Sequence, residues 1–120
     1  MRALDSTSLN DTEKIAIEEA VSILNEKFGL EGAILFGSKA RGDADASSDM
    51  DLLLITQRLL HWREEKTIVE LLFELGLKHG VIFSPLFVSS EEWNGGCFTE
   101  FPIYQEIIRD GAKVACSKRP

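Results

Sequence analysis

Gly37-Ser38-Lys39-Ala40-Arg41-Gly42-Asp43-Ala44-Asp45-Ala46-Ser47-Ser48-Asp49-Met50-Asp51-Leu52 lies between two short apolar runs, Ala33 to Phe36 before it and Leu52 to Ile55 after it. Both runs have the length and composition of buried strands, so the polar segment joins two strands by something longer than a tight turn. Its first half suits an anion. Gly37 ends the first strand, and Ser38 to Arg41 can open a short helix. Glycine lets a phosphate approach the backbone, the first N–H groups of a helix point at it, and Ser38 adds a hydroxyl. Arg41, one turn on, can hold a phosphate oxygen bidentately. The second half suits a cation. Asp49 and Asp51 stand two apart at a strand start, so their carboxylates project to one face while Met50 turns into the other layer. Two carboxylates beside a phosphate site match Mg²⁺, which favours carboxylate, phosphate and water oxygens. Such a pair can bridge two ions roughly 3.5–4 Å apart. Taken singly, a Gly-Ser turn or an Asp-x-Asp strand start is ordinary. Together they point to a site, because Asp51 heads the apolar run Leu52-Leu53-Leu54-Ile55 and needs a compensating partner there.

Working outward, Asn10 and Glu13 have capping-box spacing, and Ile17, Ala20, Val21, Leu24 and Phe28 recur at helical spacing. The pattern predicts a helix over Thr12 to Phe28, closed by Gly29 as a left-handed cap. Met50 to Ile55 reads as the second strand. Trp62 to Lys78 reads as a helix with an Ile68, Leu71, Leu72, Leu75 stripe; Gly76 weakens its last turn and Gly80 stops it. Val81 to Val88 reads as a third strand, with Pro85 placing it at an edge or a bulge. Ser89 to Trp93 can begin a helical turn. Pro102 to Asp110 reads as a last helix with Pro near its first turn and Gly111 after its end. Ala112 to Cys116 reads as a short final strand, Met1 to Leu9 as a loose lead-in and Lys118-Arg119-Pro120 as a frayed tail. The order predicts an α/β protein of the α+β kind, a small mixed sheet of three to four strands flanked by helices.

The 120 residues suffice for one domain, residues 1–120 with a core over about 12–116. A net charge of −7 argues against a broad basic surface for nucleic acid, while leaving a small anionic substrate open to local cations or a metal. Cys97 and Cys116 fit no metal or redox pattern and are expected to be reduced and packed. His61 and His79 stand alone, which disfavours a histidine metal site. No signal-peptide core or run of roughly 20 apolar residues is present, so a cytoplasmic protein without membrane contact is expected. Trp93, Phe98, Phe101 and Tyr104 read first as closing the core; stacking on a base or facing a partner protein is the alternative.

At Gly37-Ser38, Ala40-Arg41-Gly42, Ser48-Asp49 and Asp51 the sequence resembles the DNA polymerase β-like nucleotidyltransferase superfamily, and most closely its minimal nucleotidyltransferases. The wider resemblance covers about Gly32 to Gly111, including the strand near Val81 and the closing Ile107-Ile108-Arg109-Asp110-Gly111. It implies a nucleotidyltransferase-like fold and transfer of a nucleoside monophosphate, foremost AMP from ATP, with release of pyrophosphate. Gly37 and Ser38 would bind the triphosphate, with Arg41 beside them. Asp49 and Asp51 would be the catalytic residues and the ligands of Mg²⁺, as one ion or two, with Mn²⁺ as a substitute. Minimal nucleotidyltransferases of this size resemble the antitoxin halves of two-gene modules whose partner is a HEPN-type helical RNase. That resemblance implies a hydroxyl of a partner protein as acceptor. One departure stands out: many family members carry a third carboxylate on the next core strand, where this chain has Ser84. Glu91 and Glu92 are expected to cover a helix start instead of replacing it. The alternative function is therefore a catalytically weak or inactive NTP-binding protein that acts by docking to its partner.

Overall fold

The computed structural model describes residues 1–45 and 48–114. In chain order it has β1 (Arg2–Ala3), α1 (Asp11–Phe28), β2 (Leu30–Phe36), α2 (Gly37–Arg41), β3 (Met50–Thr56), α3 (Trp62–His79), β4 (Phe83–Ser89), α4 (Ser90–Trp93), α5 (Pro102–Asp110) and β5 (Ala112–Lys113), with 3-10 turns at Leu4–Ser6 and Cys97–Glu100. The five strands form one sheet in the order β1-β5-β2-β3-β4. β2 runs antiparallel to β3 and to β5, whereas β3–β4 and β1–β5 are parallel. The mixed sheet is as expected, but it holds five strands, not three to four. The added strand is β1, two residues whose pairing partner β5 lies 110 positions away (Arg2 with Ala112) and leaves no local pattern.

The lead-in is also not loose. Leu4 and Leu9 are buried, so the core begins before residue 12. Arg2 donates from its guanidinium to the carbonyls of Ala40 and Asp110, fastening the last turns of α2 and α5 together. A cation at two helix C-termini is favoured by the unpaired carbonyls there. Residues 115–120, including the Cys116 end of the expected last strand and the expected tail, lie outside the described residues.

Helix α1 starts where its cap dictates. The Glu13 amide donates to Asn10 Oδ1 at 2.8 Å and the Asn10 amide donates to Glu13 Oε1 at 3.0 Å, a complete capping box. Its Ile17, Ala20, Val21 and Leu24 pack with Ile68 and Leu72 of α3 on one face of the sheet, against Leu35, Met50, Leu52 and Leu54. The other face carries Ile34, Leu53, Ile55 and Val88, covered by Phe98 and Ile107. Alternate β3 residues thus feed two cores, and Asp51 belongs to the second face.

Parallel β3 and β4 need a long crossover, which α3 supplies. Gly76 does more there than weaken a turn. A Cβ at this position would sit 2.5 Å from the Val81 carbonyl, and the Val81 amide donates to the Gly76 carbonyl at 3.0 Å. The chain folds back across the helix at the one residue without a side chain. β4 begins at Phe83, two residues later than the apolar run suggests. It is the sheet's outer strand among the described residues, where Pro85 is tolerated.

Candidate functional site

Gly37 follows β2 with φ +74, a left-handed conformation that β-carbon-bearing residues rarely adopt. The turn brings its α-carbon against the Asp51 carboxyl: a Cβ on Gly37 would lie 2.1 Å from Asp51 Oδ2. Glycine is required here both by backbone angle and by the acid that occupies the space. α2 then runs for one turn and a half and ends at Gly42, φ +87, whose amide donates to the Ser38 carbonyl at 2.9 Å. Lys39 is buried at 7% exposure, donates to Glu13 Oε2 and lies 3.3 Å from the Asp45 carbonyl. Glu13 thus accepts from the α1 cap with one oxygen and from α2 with the other. Burial pushes its carboxyl up, but hydrogen bonds from Lys39 and the Asn10 amide, with the charge of Lys39, bring it net below the usual range.

The loop to β3 is fastened by Ser48. Its hydroxyl accepts from the Asp45 amide at 3.2 Å, and its own amide donates to the Asp45 carbonyl at 3.2 Å. Asp49 follows, exposed, and Asp51 enters the sheet partly buried. In register, Asp51 lies between Phe36 of β2 and Ser84 of β4. Burial and the neighbouring charge of Asp49 push the Asp51 carboxyl above its ordinary value, and only the Arg41 charge opposes them. Arg41 itself pairs with Asp43 at 3.2 Å on the surface. Gly37, Asp49, Asp51 and Ser84 are therefore gathered at one end of the sheet, with the charge of Arg41 felt at Asp51. Ser38 is the second residue of α2, beside Gly37.

The donor set fits a hard divalent cation. A carboxylate whose ionisation is opposed by burial and by a neighbouring acid, as at Asp51, gains most from a metal, and the oxygens of the pair are what Mg²⁺ favours, with water and phosphate completing its shell. Among the described residues no third histidine, cysteine, aspartate or glutamate joins them. Glu92 is committed elsewhere: it accepts from the Ser89 amide and hydroxyl at 3.2 Å as the cap of α4. A cavity of about 430 Å³ lies nearby on the α1 and α3 side, lined by Glu13, Lys39, Ser48, Met50 and His79. It does not include Asp49 or Asp51, and Asp51 faces the opposite layer.

Some expectations change. Cys97 is exposed instead of packed. The aromatic stretch forms a cluster with ring centroids 5.0 Å apart for Trp93–Tyr104 and 6.1 Å for Phe98–Tyr104, closing the second core over buried Phe98, while Phe101 stays 53% exposed. The sequence reading missed the Glu13–Lys39 pair and Arg2, because partners 26 and 38 positions apart leave no spacing signal. No helix among the described residues is long and apolar enough to cross a membrane.

Comparison with known proteins agrees with this architecture. Residues 18–84 match the family described as Polymerase beta, Nucleotidyltransferase. The chain is a member of that nucleotidyltransferase family. A Methanocaldococcus jannaschii protein described as a putative protein adenylyltransferase is 37% identical over 65 residues, covering 54% of this chain and 64% of that protein. The match thus spans under two thirds of that relative. A second protein so described from the same organism is 34% identical over 101 residues, covering 82% of this chain and 94% of the relative. Among solved structures, a putative minimal nucleotidyltransferase aligns with TM-score 0.55 at 28% identity, covering 87% of this chain and 96% of that one. A toxin-antitoxin crystal structure with AMP-PNP aligns with TM-score 0.58 at 14% identity, covering 91% and 76%, a likeness of fold.

Proposed function

We propose that this chain is a Mg²⁺-dependent nucleotidyltransferase that moves AMP from ATP to a hydroxyl on a partner protein, as the antitoxin of a pair whose toxin is a HEPN-type helical protein. The observation that carries the reading is the contact between Gly37 and Asp51, which sets a glycine turn suited to phosphate directly against a carboxylate pair suited to metal. Relatives described as putative protein adenylyltransferases and a fold shared with a toxin-antitoxin structure support the reaction class and the protein acceptor.

In this account the turn at Gly37 and the hydroxyl of Ser38 receive the triphosphate, and Arg41 exchanges its surface pairing with Asp43 for a phosphate oxygen. Asp49 and Asp51 would hold Mg²⁺, which when bound neutralises triphosphate charge and activates the α-phosphorus. The acceptor oxygen forms a bond to that phosphorus as the α–β anhydride breaks. Pyrophosphate departs, and the hydroxyl proton passes to a carboxylate or water. Labelled AMP transfer to a co-expressed partner tests the proposal. Transfer that requires Mg²⁺ and is abolished in both Asp49→Asn and Asp51→Asn is expected; transfer surviving both changes refutes the assignment.

A second reading rests on Ser84. The residue directly across from Asp51 on β4 is a hydroxyl where a third acid would complete the set, so the domain would bind NTP and inhibit by docking alone. Ser84→Asp separates the two readings. Faster transfer in this variant marks a weakened enzyme. No transfer by wild type or variant, with Mg-ATP binding retained, favours docking.

A further inference from the structure

α3 has two apolar faces and the core uses one. Ile68, Leu72 and Leu75 are buried, whereas Trp62, Val69, Phe73 and Leu77 are 61, 45, 67 and 70% exposed. Steps of seven, four and four residues keep the second set on one stripe. At 1.5 Å per residue it runs roughly 22 Å along the helix. An exposed apolar stripe of this length, interrupted by Lys66 one turn after Trp62, differs from scattered surface leucines and marks an interaction surface.

The charges beside the stripe say what fits it. On one flank Arg63 and Lys66 occupy its N-terminal half and Glu70 and Glu74 its C-terminal half, all exposed, and the half-buried Glu65 stands on the other flank. Turned about a two-fold axis near Val69, a copy of α3 lies antiparallel. Arg63 then faces Glu74 of the second copy, Lys66 faces its Glu70, and Trp62 meets its Phe73 and Leu77. A parallel copy would turn this charged flank toward the other side of the partner's stripe, and neither pair could form. Arg63 also stands 5.2 Å from the Trp62 ring centroid, which ties the cationic half to the apolar stripe. The net charge of −7 repels two copies at long range, but screening within about 8 Å at physiological salt leaves contact pairs in control. We infer that α3 is the interface of an antiparallel homodimer, with a second copy of this chain as its occupant. An isologous two-fold contact is the commonest way to close such a surface.

Sedimentation equilibrium of the full chain at micromolar concentration tests this without reference to nucleotide binding. Wild type should show twice the chain mass, and Phe73→Lys should weaken association by at least about tenfold. Two double variants probe the charges: Arg63→Glu with Lys66→Glu makes the face acidic, and Glu70→Lys with Glu74→Lys makes it basic. Each should be monomeric alone, the two mixed should form a heterodimer, and all four changes in one chain should restore self-association. Thermal melts establish that every variant is folded, since the positions are exposed. A wild type that stays monomeric overturns the inference and leaves the stripe to a partner of other chemistry. Double variants that remain dimeric, or that fail to pair when mixed, overturn it equally.

Discussion

Gly37 and Asp51 occupy space that neither shares with a larger residue. Alanine at 37 faces two costs: a left-handed backbone worth about 1–2 kcal/mol against a β-carbon, and a clash with Asp51 Oδ2 that must push the carboxyl aside. Gly37→Ala should therefore lower stability by at least that much and remove Mg-ATP binding even where the protein remains folded, as melting and titration calorimetry would show. Asp51 has the opposite character. Its carboxyl is raised by burial and by Asp49, so the folded state holds the proton more tightly than the unfolded chain does. Its stability contribution is greatest below the unfolded pKa and declines as pH rises through the folded one. Without metal at neutral pH, Asp51→Asn should then raise Tm slightly, the effect being limited by solvent screening of the part-exposed carboxyl, while abolishing metal binding. In wild type, metal affinity should rise with pH across the raised Asp51 pKa, because cation and proton compete for the same oxygens. A melt of Asp51→Asn below that of wild type would mean that the acid is structural.

Helix α2 is too short to hold itself and is anchored from outside. Glu13 of α1 takes the buried Lys39, and Arg2 takes the carbonyl of Ala40. Glu13→Gln keeps an acceptor for the Asn10 cap but leaves Lys39 buried without its counter-charge, which costs about 3 kcal/mol. Because the Glu13 pKa is lowered net, its contribution is present above the unfolded value and is lost as pH falls through the folded one. Wild type and Glu13→Gln should thus converge in urea-denaturation stability at acid pH and separate at neutral pH; equal stability at both would remove the anchor from the account. These anchors explain what could and could not be read from sequence. Asn10 with Glu13, Gly29, and Pro102 with Gly111 announce helix ends because cap chemistry is local. Arg2–Ala112 pairing and the Lys39 ion pair are set by tertiary neighbours, so the first residues read as loose and Lys39 as unremarked. Gly76 read as a weak point, since only the fold shows the Val81 carbonyl lying over it.

Across the molecule, the site follows from one topological fact. β3 is an interior strand, antiparallel to β2 and parallel to β4, so its first residues meet both the glycine turn leaving β2 and the opening of β4. The spacing of Gly37, Asp49 and Asp51 was legible because one connection carries all three. The position of Ser84 beside Asp51 was reached through resemblance, and the parallel register places it there. Asp51 sits on the sheet face opposite the cavity near Lys39, alongside Leu53 and Ile55 of the second core. Isothermal titration of ATP into wild type, Asp49→Asn and Asp51→Asn, each with Mg²⁺ and again with EDTA, tests the central claim of a joint metal and nucleotide site. Binding by wild type with Mg²⁺ alone, lost in both variants and in EDTA, is the expected result; equal ATP affinity in EDTA, or in either asparagine variant, would contradict it.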